Sequence, residues 1–71
     1  MTTFNPENCF KAILSKIENG YVKTTHQLRI ILDDLSEEFN ISSLNLLVAF
    51  REWLLIKNIE LSTADGVVGL S

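Results

Sequence analysis

Four carboxylates near the end of the second predicted helix are the densest group of polar side chains in the chain: Asp33, Asp34, Glu37 and Glu38. On a helix, Asp33 faces Glu37 and Asp34 faces Glu38, so both pairs repel each other one turn apart. The helix dipole also disfavours anions at this end. Three interpretations follow: a solvated face, a docking patch for a basic surface on another protein, and a divalent-metal site, which would need further ligands. The docking patch is our functional hypothesis, and the metal site is the weakest of the three.

The single histidine and the single cysteine are the other candidates for chemistry. His26 lies in the first turn of the second predicted helix, where the dipole opposes a positive charge. Acid–base or nucleophilic catalysis would need a reactive group held beside it, and Cys9 is the only thiol. A cysteine at that position is more often a small core hydrophobe. We therefore predict no catalytic residue, no cofactor and no metal, and so a non-enzymatic protein.

Length and composition indicate one small domain, residues 1–71, of marginal stability. A chain of this size buries roughly 60% of the surface that its unfolded form exposes. With 46% hydrophobic and 21% charged residues, the chain is too apolar to be intrinsically disordered. One cysteine excludes an internal disulfide, which leaves oligomerisation as the usual reinforcement of a small fold.

The charge distribution weighs against nucleic acid as the main partner. The net charge is −3, whereas nonspecific nucleic-acid binding relies on clustered lysines and arginines. The basic residues stand singly along the chain: Lys11, Lys16, Lys23, Arg29, Arg51 and Lys57. A basic face could still form in three dimensions, so nucleic acid ranks as a less favoured partner than protein.

Neither a secretory signal nor a membrane span is predicted. The segment 1–7 has no basic region followed by a hydrophobic run. The apolar run 44–56 would extend only about 20 Å as a helix, against a hydrocarbon core of roughly 30 Å. With a lone thiol, these features lead us to expect a cytoplasmic protein with no membrane partner.

Three helices are predicted, at about residues 6–19, 25–39 and 43–58. Asn5 can cap the first helix, and Pro6 suits its first position. Thr24 and Gln27 match a capping box at the start of the second helix. Asn40 should end the second helix, and Ser42 or Ser43 should cap the third.

The final stretch changes from helical to alternating periodicity. Residues 59–62 alternate between apolar and polar, Asp65-Gly66 is a favoured tight-turn pair, and residues 67–70 can return as a second strand. Because an isolated hairpin is marginal, it would have to pack on the helices or pair with residues 21–23. The hairpin over residues 59–70 is the favoured interpretation, and a partly ordered tail is the alternative.

The third helix is apolar on almost every side. At about 100° per residue, Leu46, Phe50 and Trp53 share one face. Leu44, Val48 and Leu55 point nearly the opposite way. A helix that is apolar all round must be covered all round, and a short chain has little material for that cover. We therefore predict a homodimer contact through Leu44, Val48 and Leu55, with full cover inside one chain as the competing interpretation.

The predicted fold is mainly α: three helices with a central hydrophobic third helix and a C-terminal β-hairpin. This order of elements is similar to that of winged-helix domains. In those domains the third helix reads DNA, which requires exposed polar donors and acceptors, and here it offers only Asn45 and Arg51 among hydrophobes. We therefore expect a regulatory, adaptor or inhibitor domain that binds protein as a homodimer. The alternative is a DNA-binding regulator in which dimerisation brings Lys23, Arg29 and Arg51 together.

Overall fold

A computed structural model of the protein describes residues 4–71. Residues 1–3, part of the amino terminus from which the absence of a secretory signal was predicted, lie outside that range. The elements in chain order are α1 (Pro6–Glu18), α2 (Thr25–Phe39), α3 (Ser43–Ile56), β1 (Leu61–Ser62) and β2 (Gly69–Leu70). The prediction of a mainly α fold with a C-terminal hairpin is confirmed.

Side-chain caps begin the first two helices as predicted. The backbone N–H of Asn8 donates to Asn5 Oδ1 over 3.2 Å, and Pro6 occupies the first turn of α1. The backbone N–H of Gln27 donates to Thr24 Oγ1 over 3.2 Å, and the N–H of Thr24 donates back to Gln27 Oε1 over 3.2 Å. Ser42 precedes α3 but makes no such side-chain bond.

We expect Thr24→Ala to lower the free energy of unfolding by about 1 kcal/mol, because it leaves the Gln27 N–H without its cap. Urea denaturation followed by circular dichroism measures the change. Ser42→Ala is the matched control: it removes a hydroxyl that caps nothing, so a smaller loss is expected. Equal losses in the two variants would contradict the assignment of the cap.

A residue with left-handed backbone follows the end of each of the three helices within two positions. Gly20, Asn40 and Asn58 have φ of 80°, 55° and 61°. After each one, a backbone N–H bonds back to the helix, as in Ile59 N–H to Leu54 O over 2.9 Å. This geometry satisfies carbonyls that the helix end would leave unpaired. Because Asn58 adopts it, α3 ends at Ile56, two residues before the predicted boundary.

The hairpin closes through a tight turn. Leu61 pairs with Leu70 and Ser62 with Gly69 in antiparallel register. Asp65 and Gly66 both have positive φ, 58° and 73°, as a type I′ turn requires. The turn is closed by a 3.1 Å bond from Val67 N–H to Ala64 O.

The hairpin is also bonded to the segment between α1 and α2. Val68 N–H donates to Lys23 O over 2.9 Å, and Thr24 forms a single antiparallel bridge with Val67. Val22 and Val68 are buried, whereas Val67 is exposed. The hairpin therefore adds its inner side chains to the helical core, as its marginal stability in isolation requires.

The core is centred on the inward face of α3. Leu46, Phe50 and Leu54 are each no more than 2% exposed. The ring of Phe10 in α1 lies 5.4 Å from that of Phe50 and 5.9 Å from that of Trp53, centroid to centroid. The inward half of α3 predicted from helical spacing is thus confirmed.

Candidate interaction surfaces

The far face of α3 is not covered by the rest of the chain. Leu44, Val48 and Leu55 are 66%, 48% and 59% exposed. The competing expectation, full cover of α3 within one chain, is wrong, because α1, α2 and the hairpin all pack on the inward side. The three residues predicted for a dimer contact are therefore accessible to another molecule.

Two further side chains extend this face. Arg51 lies between Val48 and Leu55 along the helix axis, next to Leu44 on the helical wheel, and is exposed. Ile56, at the carboxyl end of α3, is 83% exposed. The exposed face of α3 is hereafter the set Leu44, Val48, Arg51, Leu55 and Ile56. The set contains four large hydrophobes and one arginine, and exposed Asn45 and Glu52 lie between Val48 and Ile56 on the helical wheel.

A groove of about 520 Å³ lies between α2 and α3, at the amino-terminal end of α3. Leu28, Leu32 and Leu47 supply apolar lining, and Leu44 belongs both to the groove and to the exposed face of α3. Arg29 is its one charged lining residue. The remaining lining residues are Thr25, His26, Ser43 and Thr63. The groove and the exposed face of α3 therefore form one continuous surface with no acidic residue at the groove.

The four acidic side chains of α2 are all exposed. Within residues 4–71, the one ion pair is Lys11 with Glu7, at 3.7 Å, so no lysine or arginine neutralises Asp33, Asp34, Glu37 or Glu38. In that same range, no three His, Cys, Asp or Glu side chains are placed to hold a metal ion. The structure therefore leaves the solvated face and the docking patch as the two interpretations of this cluster.

Cys9 and His26 lie in different clefts. Cys9 lines a cleft between α1 and α2 with Lys16 and Asp34, whereas His26 lines the groove between α2 and α3. Burial raises the pKa of the Cys9 thiol, and the negative charge of Glu38 raises it further. A raised pKa keeps the thiol protonated and weakly nucleophilic, so this geometry does not assemble a catalytic pair.

The geometry of α2 and α3 matches a helix-turn-helix. The two helices are joined by three residues and are bent by 114° relative to each other, within the range for that motif. Of the basic residues in the DNA-binding hypothesis, Lys23 and Arg51 are exposed and Arg29 lines the groove. They lie on three different segments of the chain: Lys23 precedes α2, Arg29 belongs to α2 and Arg51 belongs to α3.

Within residues 4–71, no single helix is long and apolar enough to cross a membrane. The pair α2 and α3 reaches the required length and hydropathy only when taken together, across its bend.

Comparison of the chain with protein-family models, with curated proteins and with solved structures found no match.

Proposed function

We propose that this protein is a small, non-enzymatic interaction domain that works as a homodimer and binds a second protein in a regulatory, adaptor or inhibitory role. The observation that carries the proposal is the exposed face of α3. Monomeric soluble proteins rarely leave large contiguous apolar patches in water, and such patches mark interaction sites. The cytoplasmic location remains the prediction made from the sequence.

Self-association through the exposed face of α3 requires more contact than the three predicted side chains provide. Fully burying a leucine or valine contributes roughly 1.5–3 kcal/mol, and Leu44, Val48 and Leu55 are already partly buried in the monomer. Association costs an estimated 4–15 kcal/mol in lost motion. A stable dimer therefore needs surface beyond these three residues.

The acidic cluster of α2 is proposed as the docking patch for the second protein. Its four carboxylates repel one another and have no basic partner within the described chain, so a basic surface would relieve the repulsion. Such contacts set specificity and association rate more than affinity. The expected partner therefore presents lysines or arginines, and its binding weakens as salt is added.

Neutralising this patch should abolish capture of the partner. The variant Asp33→Asn, Asp34→Asn, Glu37→Gln, Glu38→Gln keeps side-chain shape and removes four charges. The matched control removes four charges elsewhere: Glu7→Gln, Glu18→Gln, Glu60→Gln, Asp65→Asn. Affinity purification with nuclease, followed by mass spectrometry, should recover the partner with wild type and control but not with the patch variant. Recovery with all three proteins would show that the cluster is only a solvated face.

DNA binding is the second candidate, favoured by the helix-turn-helix geometry of α2 and α3. It predicts retention on heparin, and duplex binding that falls steeply with added salt. The exposed face of α3 argues against it, because a groove-reading helix presents polar side chains to base edges. Failure of a duplex to bind at low salt would remove this candidate.

A further inference from the structure

We infer that the groove between α2 and α3 binds a small aliphatic carboxylate, a carboxylic acid with an unbranched hydrocarbon chain. The inference goes beyond the proposed function, which assigns no occupant to the groove, and it depends neither on the acidic cluster nor on the dimer. Three observations carry it: an apolar floor, a single cation, and the uncapped start of α3.

The floor of the groove is hydrocarbon. Leu28 and Leu32 of α2 line it and are only 2% and 4% exposed, and Leu47 of α3 lines it as a half-buried side chain. The lining also contains three hydroxyl side chains, those of Thr25, Ser43 and Thr63. Small-molecule sites combine such apolar lining with a few polar groups and have volumes of roughly 300–1,000 Å³. The groove, at about 520 Å³, lies within that range.

Arg29 gives the groove a positive charge that the chain does not neutralise. It is the one charged lining residue. Asp33 lies one helical turn further along α2, at a spacing that allows an ion pair, yet within residues 4–71 these two side chains form none. A planar guanidinium binds a carboxylate through two parallel hydrogen bonds, and His26 adds a ring N–H donor to the lining. The lining therefore complements an anion.

The start of α3 favours the same charge. Ser43 and Leu44, in its first turn, line the groove, and Ser42 makes no side-chain cap. First-turn N–H groups carry partial positive charge, so an anion is favourable where no side chain caps them. A carboxylate brings one negative charge, which Arg29 compensates. A phosphate dianion would bring two to a chain whose net charge is already −3.

Three probes with the same hydrocarbon chain and different head groups test the inference: octanoate, octanol and octylamine. Each is titrated into isotope-labelled protein below the concentration at which the probe itself aggregates. The NMR shifts of the Ser43 and Thr63 amides locate the site and give the dissociation constant. We expect octanoate to bind about fivefold more tightly than octanol, the gain from one partly exposed ion pair, and octylamine to bind most weakly.

Arg29→Gln tests the head group. It should lower octanoate affinity about fivefold, to that of octanol, and leave octanol binding unchanged. Arg51→Gln is the matched control, because Arg51 is also an exposed arginine but does not line the groove, so a change below twofold is expected. Equal losses in the two variants would overturn the inference.

Leu44→Ser tests the hydrocarbon chain. It removes apolar lining and should weaken octanoate and octanol alike, by about threefold or more. Val48→Ser is the matched control: Val48 is 48% exposed on the same helix and lies outside the groove. Both residues belong to the predicted dimer contact, so any effect of altered association is common to the two variants.

The remaining outcomes would overturn the inference. Equal affinities for octanoate and octanol, or a preference for octylamine, would exclude recognition of an anion. Absence of shifts at the groove amides would exclude the site. A blocked pentapeptide with one glutamate between leucines that binds more tightly than octanoate, with the same dependence on Arg29, would replace the free acid with a segment of a partner protein. Sedimentation measures the proposed dimer separately, so its failure is distinguishable from these outcomes.

Discussion

The variant Phe50→Ala is expected to lose about 3–5 kcal/mol of unfolding free energy, the cost of truncating a buried phenylalanine to alanine. Phe50 is fully buried, and its ring lies 5.4 Å from that of Phe10 and 6.3 Å from that of Trp53. The free energy of unfolding of a 71-residue domain is roughly 4–11 kcal/mol in total. The substitution is therefore expected to remove roughly a quarter or more of that free energy.

Urea denaturation with circular dichroism, repeated at several protein concentrations, measures this loss. The concentration series is needed because dimer formation adds to apparent stability by mass action. Ile30→Ala is the control, since it truncates an apolar side chain that is already 48% exposed, and a change within about 0.5 kcal/mol is expected. A loss below 1 kcal/mol for Phe50→Ala would show that the core is not centred on α3.

Local signals account for the parts of the fold that the sequence predicts well. A cap is formed by residues within three positions of each other, as in Thr24 with Gln27, and so can be recognised from spacing alone. The Asp65-Gly66 turn is equally local, since both residues tolerate positive φ. The sequence predicts the end of α3 two residues too late, because asparagine is a weaker helix stop than glycine and Asn58 follows an otherwise uninterrupted helical run.

The arrangement of the surfaces depends on contacts between distant segments, and the sequence does not determine it. The groove combines Arg29 from α2, Leu44 from α3 and Thr63 from the segment after β1. No spacing rule relates these positions. Likewise, helical periodicity divides α3 into two faces but cannot decide whether α1, α2 and the hairpin cover both. That decision depends on the angle at which α3 crosses α2, which is a property of the packed core.

The sequence likewise does not determine whether the acidic cluster of α2 is a docking site. Its charge and exposure follow from residue types and from helical spacing, and both could be predicted. Whether Asp33 and Glu37 bind a basic surface depends on a molecule outside the chain. The structure answers one part of this question: no basic side chain within residues 4–71 pairs with the cluster, so the chain does not neutralise these carboxylates itself.

The variant Leu55→Glu is expected to be a folded monomer. Leu55 is 59% exposed, so glutamate there remains in water in the single chain and lies one turn from Arg51, a favourable spacing. In the dimer the same carboxylate would be buried against an apolar partner surface, at a cost of several kcal/mol. We expect the dimer dissociation constant to rise at least a hundredfold, about 2.7 kcal/mol. Sedimentation velocity over a range of concentrations measures it.

The neighbouring position provides the control, because Leu54 carries the same side chain but is fully buried. Leu54→Glu would place a charge in the core and should unfold the chain, with loss of the helical circular dichroism signal. Leu55→Glu should keep that signal while its melting temperature stops depending on protein concentration. Unfolding of both variants would contradict the expected folded monomer and would show that the chain is stable only as a dimer. A folded Leu55→Glu that still dimerises would move the interface away from α3 and leave its exposed face to another partner.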